Sequence, residues 1–274
     1  MFKIVAKDQI WEFKTPQIMA IMNATQDSFY EGSRVNNIDW AVEKAGKFIQ
    51  DGAQIIDIGG QSTRPGATLQ TAFQELSNVL PIIEAIHATY PNTLISVDTF
   101  NSSVAEGALK AGAHIVNDIS CGSFDEQMFK VVAKFQAAYV GMHISGDQNT
   151  MHVIPERVNI IQEIKSYFVN KKTILNNLGI SNWVIDPGFG FGKSIADNFK
   201  IIKHLTDFSS IELPILLGVS RKSSIYKTLN VTADKALNGT TVLNTAGILN
   251  GASILRVHDV KEAKEVIDLA AYLS

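Results

Sequence analysis

The sequence predicts an α/β fold, a TIM (β/α)8 barrel with a short N-terminal β-hairpin. Short apolar runs alternate with longer segments of helical spacing, which is the pattern of parallel strands covered by helices. About eight such units fit into the 274 residues, a usual length for this barrel. The predicted barrel strands are residues 18–22, 54–58, 94–97, 114–116, 138–142, 183–185, 215–219 and 253–257.

The hairpin is predicted over residues 2–14, ahead of the first barrel strand. Apolar spacing defines the helices, and the first of them ends at the glycine stop signal Gly52. A doubly wound open sheet is the alternative, but it uses fewer strands and normally begins with a glycine-rich turn, which IMNAT at 21–25 is not. The predicted helices cover residues 39–52, 71–90, 103–112, 155–179, 233–251 and 260–273.

Composition predicts one globular domain over residues 1–274. Hydrophobic residues make up 46% of the chain, which is typical of a globular protein. Proline and glycine are scattered at turns, and we find no linker or low-complexity segment that would divide the chain.

Charge and cysteine content narrow the classes of function. The formal net charge of -3 argues against a nucleic-acid or membrane-surface partner, which normally requires a basic face. Cys121 is the single cysteine, so no intrachain disulfide forms and a reducing compartment is favoured. Residues 1–14 carry charges and lack the apolar core of a secretory signal, and no run approaches the roughly 18 apolar residues of a membrane span. We therefore expect a cytoplasmic enzyme or binding protein.

Polar side chains follow every predicted strand. Because parallel strands bring their carboxyl ends to one mouth of the barrel, where active sites lie, these side chains are expected to meet. Each Asn or Asp alone is equally well explained as a turn former or a helix N-cap. All eight strand ends carry such residues, so the whole set, rather than any member, indicates a site. The set includes Asn23, Asp57, Asp98, Asn117, His143, Asp186, Ser220, Arg221, Lys222, Arg256 and His258.

These residue types suit a ligand that is both heterocyclic and anionic. Buried acids with Asn117 match a heterocycle that presents donors and acceptors, because each buried polar group must find a partner. Arginine with histidine suits a phosphate or pyrophosphate. A glycosidase carboxylate pair remains an alternative, although Arg256 and His258 beside Arg64 would be unusual at a sugar site.

A transition-metal site is only weakly supported, because the chain has no H-x-H or H-E-x-x-H motif and one cysteine. His143 lies near a strand end. The histidines expected at the surface or in packing are His87, His114, His152 and His204.

The segment VIDPGFGFGKS, residues 184–194, resembles a phosphate-binding loop at first sight. A P-loop would need glycine where Pro187 stands, and a dinucleotide loop would need glycine where Lys193 or Ile195 stands. Val184 is instead predicted to lie in a strand that ends at a turn after Asp186. Lys193 is expected to be a solvated loop charge.

Eight motifs together resemble the dihydropteroate synthase family, nearly from end to end. The specific ones are DIGGQSTRPGA (57–67) and DPGFGFGKS (186–194). The others, in the family's order, are NATQDSF (23–29), SVDTF (96–100), VNDIS (116–120), GMH (141–143), GVSRKS (218–223) and RVHDV (256–260).

The resemblance implies a TIM barrel, in agreement with the strand pattern, and an enzyme of folate synthesis. The family joins 7,8-dihydropterin-6-ylmethyl diphosphate to p-aminobenzoate and releases pyrophosphate. The resemblance further implies Mg2+ as cofactor and a homodimer. It also implies that sulfonamides, as p-aminobenzoate analogues, inhibit the enzyme. Alternatives are a non-catalytic pterin-binding paralogue and a pterin-binding methyltransferase barrel, which would leave Arg64, Arg256 and His258 unexplained.

The resemblance also implies site residues. Catalytic roles fall on Asp98, Arg64 and Lys222. The pterin pocket is implied to contain Asp98, Asn117, Met142, Asp186, Gly218 and Lys222. The diphosphate end is implied to contain Asn23, Thr63, Arg64, Arg256 and His258, with Asn23 contacting the metal. The p-aminobenzoate site is implied to be bordered by Arg64, Pro65, Phe191, Lys222 and Ser223.

Three departures from the family pattern fall in loops. Gln26 stands where the family usually has proline, and Gln61 stands where glutamate is usual. The segment 144–152, after GMH, lacks a common proline. Gln26 and Gln61 lie in the first two loops, which are expected to close over the site as lids.

Overall fold

The fold is described by a computed structural model over residues 1–24, 34–61, 70–151 and 153–273, with the backbone alone described for residues 34–36. Ten strands form a two-stranded antiparallel sheet and an eight-stranded parallel sheet in this part of the chain. The strands are β1 Phe2–Ala6, β2 Gln9–Phe13, β3 Gln17–Asn23, β4 Ile55–Gly59, β5 Leu94–Asp98, β6 Ile115–Asp118, β7 Ala138–Met142, β8 Trp183–Asp186, β9 Leu216–Leu217 and β10 Ile254–Val257.

The parallel sheet closes into a barrel. Its strand order is β8-β7-β6-β5-β4-β3-β10-β9, and the two end strands meet through a parallel bridge between Ile185 and Ile215. The Ile185 N–H donates to the Pro214 carbonyl at 3.0 Å at this seam. The predicted TIM barrel and its N-terminal hairpin are confirmed.

Helices lie between successive barrel strands, and the pattern predicted most of them. The short helices α4, α6 and α7, which have seven to nine residues and are named below, were not predicted. The helices are α1 Arg34–Gln50, α2 Ala72–Thr89, α3 Ser102–Lys110, α4 Met128–Phe135, α5 Ile160–Asn177, α6 Ile195–Lys203, α7 Ser223–Leu229, α8 Leu237–Leu249 and α9 Val260–Ala270, with 3-10 turns at Leu205–Ile211 and Ala233–Lys235.

Three predicted helices differ at their N-terminal ends. The helix predicted over 39–52 begins five residues earlier, at Arg34. The helix predicted over 155–179 begins only at Ile160, because the Asn159 side chain caps it by accepting from the Ile161 and Gln162 N–H groups. The helix predicted over 233–251 is divided into the 3-10 turn and α8.

Strand alternation separates two apolar regions. Ile56 and Ile58 of β4 point outward and pack in the core between the barrel and its helices. Ile55 points inward and joins a second cluster at the amino-terminal end of the barrel, which the hairpin closes with Ile4 and the packed Trp11. The barrel is therefore filled and covered at this end, and access lies at the opposite mouth.

Across residues 1–24, 34–61, 70–151 and 153–273, no helix combines the length and the apolar character needed to cross a bilayer.

Candidate active site

The barrel interior changes from apolar to polar one layer above its floor. Inward positions alternate along each strand, so Asp57 follows Ile55 on β4, and Ser96 and Asp98 follow Leu94 on β5. The inward polar positions of β6, β8 and β10 are Asn117, Asp186 and Arg256. The carboxyl ends of the strands therefore form a polar mouth over an apolar floor.

Arg256 lies between two carboxylates from neighbouring strands of this mouth. Its Nε donates to Asp57 Oδ2 at 2.6 Å, and its Nη2 donates to Asp98 Oδ2 at 2.5 Å. The same Asp57 Oδ2 accepts from Asn117 Nδ2 at 3.0 Å. Asp57 is 0% exposed, so one fully buried carboxylate orients both the guanidinium and the amide.

Burial and neighbouring charges shift the pKa values of Asp98 and Arg256. Burial raises the pKa of Asp98 to about 7; the Arg256 charge opposes this rise, and the Asp57 carboxylate adds to it. Burial lowers the pKa of Arg256, but the carboxylates of Asp57 and Asp98 outweigh it and raise the pKa above its ordinary value. Arg256 therefore stays charged, and Asp98 takes up a proton more readily than an ordinary carboxylate.

Asp186, Lys222 and Arg256 converge on Gly218. A Cβ placed on Gly218 would lie 3.8 Å from Lys222 Nζ, 3.9 Å from Asp186 Oδ2 and 3.9 Å from Arg256 Cβ. Burial raises the pKa of Asp186, and the Lys222 charge opposes this rise. Burial lowers the pKa of Lys222 to about 8, and the Asp186 charge opposes this fall. Gly218 therefore leaves room where an acid and a base face the same space.

An apolar wall borders the charged groups. Met142, at the end of β7, is buried in a cluster with Phe100 and Ile119, and Phe191 packs against this cluster. Lys222 Nζ lies 4.7 Å from the centre of the Phe191 ring and donates to the Phe189 carbonyl at 2.5 Å. One side of the mouth therefore carries an aromatic ring with an ammonium group over it.

Three further predicted residues, Asn23, Ser223 and His258, lie at the rim. Asn23 is partly buried at the end of β3, and Ser223 begins α7 directly after Lys222. His258 follows β10, where its Nδ1 lies 3.0 Å from Ser220 Oγ. Three predicted residues fall outside the described part of the chain, namely Thr63, Arg64 and Pro65. The loop departure at Gln26 and most of the two predicted lids also fall outside it.

Lys193 is not the solvated loop charge that the sequence suggested. Its side chain is buried, and Nζ donates to the carbonyls of Gly188 at 2.8 Å, Phe191 at 3.1 Å and His143 at 3.2 Å. Burial lowers the pKa of Lys193 to about 7, which the Asp186 charge opposes. The prediction was wrong because the turn after β8 folds back over this residue.

His143 is buried, and its ring packs edge-on against Tyr167. Its Nε2 lies 3.4 Å from Glu163 Oε1, and burial lowers the pKa of the ring to about 4 despite that hydrogen bond. Within the ranges the structure describes, no group of three or more His, Cys, Asp or Glu side chains is arranged to hold a metal.

The sequence pattern assigns no role to Asp57, although the structure puts it at the centre of the mouth. The available signal was a charged residue inside the otherwise apolar run IIDI, where a buried acid needs partners. Its partners could not be identified, because Asn117 and Arg256 lie 60 and 199 residues away.

Comparison with known proteins shows which family this chain resembles. A family model described as "Pterin binding enzyme" matches residues 19–258. Dihydropteroate synthase from Escherichia coli is 37% identical over 267 residues, which cover 97% of this chain and 94% of that protein.

The chain belongs to the dihydropteroate synthase family of pterin binding enzymes. A structure of dihydropteroate synthase from Yersinia pestis with a sulfonamide drug complex superposes with a TM-score of 0.92 at 35% identity, covering 99% of both chains. The Xanthomonas albilineans dihydropteroate synthase with 4-aminobenzoic acid gives a TM-score of 0.91 at 32% identity, covering 99% of this chain and 97% of that one. This chain is accordingly an enzyme of the dihydropteroate synthase family, and a transferase.

Proposed function

We propose that this enzyme condenses 7,8-dihydropterin-6-ylmethyl diphosphate with p-aminobenzoate, giving 7,8-dihydropteroate and pyrophosphate. The observation that carries the proposal is Arg256, held between Asp57 and Asp98 at the barrel mouth beside Asn117. This network presents a fixed cation beside hydrogen-bonding groups of both kinds, which suits a substrate that joins a heterocycle to a diphosphate.

Asp186 and Asn117 are proposed to recognise the pterin ring. Asp186 Oδ1 accepts from the Gly188 N–H at 2.7 Å, and a carboxylate has further lone pairs for the N–H groups of a ring. Asn117 uses one N–H toward Asp57, which leaves a donor and a carbonyl acceptor. Met142 and Gly218 complement these groups, one as an apolar wall and the other as open space.

The leaving group is proposed to depart toward Arg256. The C–O bond to the pterin methylene breaks, and its electron pair leaves with pyrophosphate. Arg256, His258, Thr63 and Arg64 stabilise the charge that develops on the leaving group. Asp98 stabilises the cation left at the methylene, which is delocalised into the pterin ring.

The p-aminobenzoate is proposed to bind beside Phe191, Lys222 and Ser223, with Arg64 and Pro65 completing its site. The lone pair of its amine forms the new C–N bond, and one amine proton is released to solvent. The neutral aromatic amine is already nucleophilic, so the site needs to position it and exclude water rather than supply a strong base. The ammonium of Lys222 and the Phe191 ring match a benzoate, which is both anionic and aromatic.

Mg2+ is the proposed cofactor, bound at Asn23. Mg2+ usually keeps several waters and takes one or two protein oxygens together with substrate phosphates, so a single Asn oxygen at the end of β3 fits it. When bound, the ion neutralises charge on the departing pyrophosphate. Asn23 would hold the ion at the end of β3, the strand that pairs with β10, which carries Arg256.

We further propose a homodimeric cytoplasmic enzyme that has neither nucleic acid nor a membrane as partner. The net charge of -3 and the single cysteine, which is buried, support this environment. Light scattering coupled to gel filtration tests the dimer, and a monomer mass would reject it.

The decisive experiment is a coupled assay that follows dihydropteroate and pyrophosphate together, with and without Mg2+. Equal amounts of the two products, dependent on both substrates, are expected. Tight binding of the pterin diphosphate without product would instead identify a non-catalytic pterin-binding paralogue.

A further inference from the structure

The turn after β8 is held from its buried side by Lys193. The three N–H groups of its ammonium meet three main-chain carbonyls, those of Gly188, Phe191 and His143. An ammonium has three donors and no acceptor, so all of its hydrogen-bonding capacity is matched. Lys193 is 5% exposed, and the group therefore has little contact with water.

The same turn carries two residues of the proposed site. Its Gly188 N–H donates to Asp186 Oδ1, while the Gly188 carbonyl accepts from Lys193. One peptide segment is thus held by an acid at the mouth and by a cation behind it. The Phe191 carbonyl is held by the same ammonium, and the Phe191 ring faces Lys222.

The turn is built around this ammonium. Gly188 has a φ of +72°, and a Cβ there would lie 2.1 Å from the His143 carbonyl oxygen and 2.9 Å from Lys193 Nζ. Glycine alone leaves room for Lys193 to approach the backbone. A neighbouring cation, Arg157, donates to the Gly192 carbonyl at 2.6 Å and to Glu163 at 3.0 Å, so the far end of the turn is fixed as well.

Burying an ammonium costs free energy that an apolar side chain of similar volume would avoid. A buried ammonium therefore indicates a functional role when its hydrogen-bond partners belong to a segment of the active site. Here all three partners are carbonyls, two of them in the turn between Asp186 and Phe191.

We propose that Lys193 is a positioning residue, which fixes the turn so that Asp186 meets the pterin and Phe191 borders the aminobenzoate. The proposal rests on the proposed function. Lys193 does not touch either substrate; it acts through the Gly188 peptide and the Phe191 carbonyl. A misplacement of about 1 Å in a binding group can cost on the order of a hundredfold, so loosening this turn has a measurable effect.

The test is a double-mutant cycle read by calorimetric titration with the pterin diphosphate. Lys193→Met is expected to raise the Kd about tenfold in the wild-type background. In an Asp186→Asn background the same substitution is expected to change the Kd little, because its effect passes through Asp186. The KM for p-aminobenzoate is expected to rise in Lys193→Met through Phe191.

A merely structural role gives a different pattern. Lys193→Met would then lower the melting temperature or the fraction of competent protein with the Kd unchanged, or would raise the Kd equally in both backgrounds. Either result overturns the proposal. If the Met variant does not fold, Lys193→Gln, which keeps two N–H donors, replaces it in the same double-mutant cycle. The same results then support or overturn the proposal.

Lys203→Met is the matched control, because Lys203 is an exposed lysine at the end of α6. It is expected to leave the Kd and both KM values unchanged. The wild-type titration separates the two proposals. A wild type that neither binds the pterin nor turns over rejects the proposed function. A wild type that does both, beside an unaffected Lys193→Met, rejects only the role of Lys193.

Discussion

Arg256 donates through Nε to Asp57 Oδ2 at 2.6 Å, across 199 residues of chain. Asp57 is fully buried and also accepts from Asn117, so the pair links the proposed diphosphate end of the mouth to the proposed pterin pocket. An effect on one subsite is therefore expected to reach the other.

Asp57→Asn tests this link. We expect the Kd of the pterin diphosphate to rise about 10- to 100-fold, since a hydrogen bond to a charged group contributes roughly 1.5–3 kcal/mol. Calorimetric titration measures the change. Asp268→Asn, at an exposed surface position, is the control, and an equal effect in both variants would remove Asp57 from the site.

Arg256→Ala tests the anion site. Binding of the diphosphate substrate is expected to fall more than binding of the free pterin, because only the first presents negative charge to the lost guanidinium. The free pterin also loses some affinity, since Asp57 and Asp98 lose their shared partner. Equal losses for the two ligands would count against an anion site here.

Phe191→Leu tests the proposed p-aminobenzoate edge. We expect the KM for p-aminobenzoate to rise about two- to tenfold, in line with the roughly 0.5–1.5 kcal/mol that an aromatic contact adds. The Kd of the pterin diphosphate serves as the internal control and is expected to stay within twofold of wild type. A shift confined to the pterin would show that the assignment of this edge is wrong.

The buried ring of His114 is expected to make the folded protein less stable in acid. Its Nδ1 accepts from the Ile95 N–H at 3.2 Å, and burial lowers the pKa of the ring from 6.5 to about 4, with Lys7 and His87 contributing. The unfolded chain therefore binds more protons than the folded chain between pH 6.5 and 4. The contribution of the neutral His114 ring to the free energy of unfolding is fully present above pH 6.5, and it is lost as the pH falls toward 4.

Urea unfolding across that window measures the effect. His114→Gln is expected to reduce the pH dependence of the free energy of unfolding by up to about 1.4 kcal/mol per pH unit, the limit for one proton. His204→Gln, at an exposed histidine, is the comparison. A slope unchanged in His114→Gln would contradict the assignment.

Much of this site could be predicted because strand alternation is a local property. The run IIDIG of β4 and the run LISVD of β5 show which side chains share a face, without knowledge of any partner. The strand order then follows from sequential parallel connections, so the sequence could predict that Asp98, Asn117 and Asp186 meet at one mouth.

The sequence could not predict how those side chains pair. Lys193 looked like a loop charge because its three carbonyl partners come from two separate loops, whose approach is set by packing. The sequence by itself determined the barrel, the face of each strand and the set of polar groups at the mouth, since these depend on backbone periodicity and local turn chemistry. Only the tertiary structure decided that Arg256 lies between Asp57 and Asp98 and that Lys193 is buried, because closure of the barrel sets the distances between residues far apart in the chain.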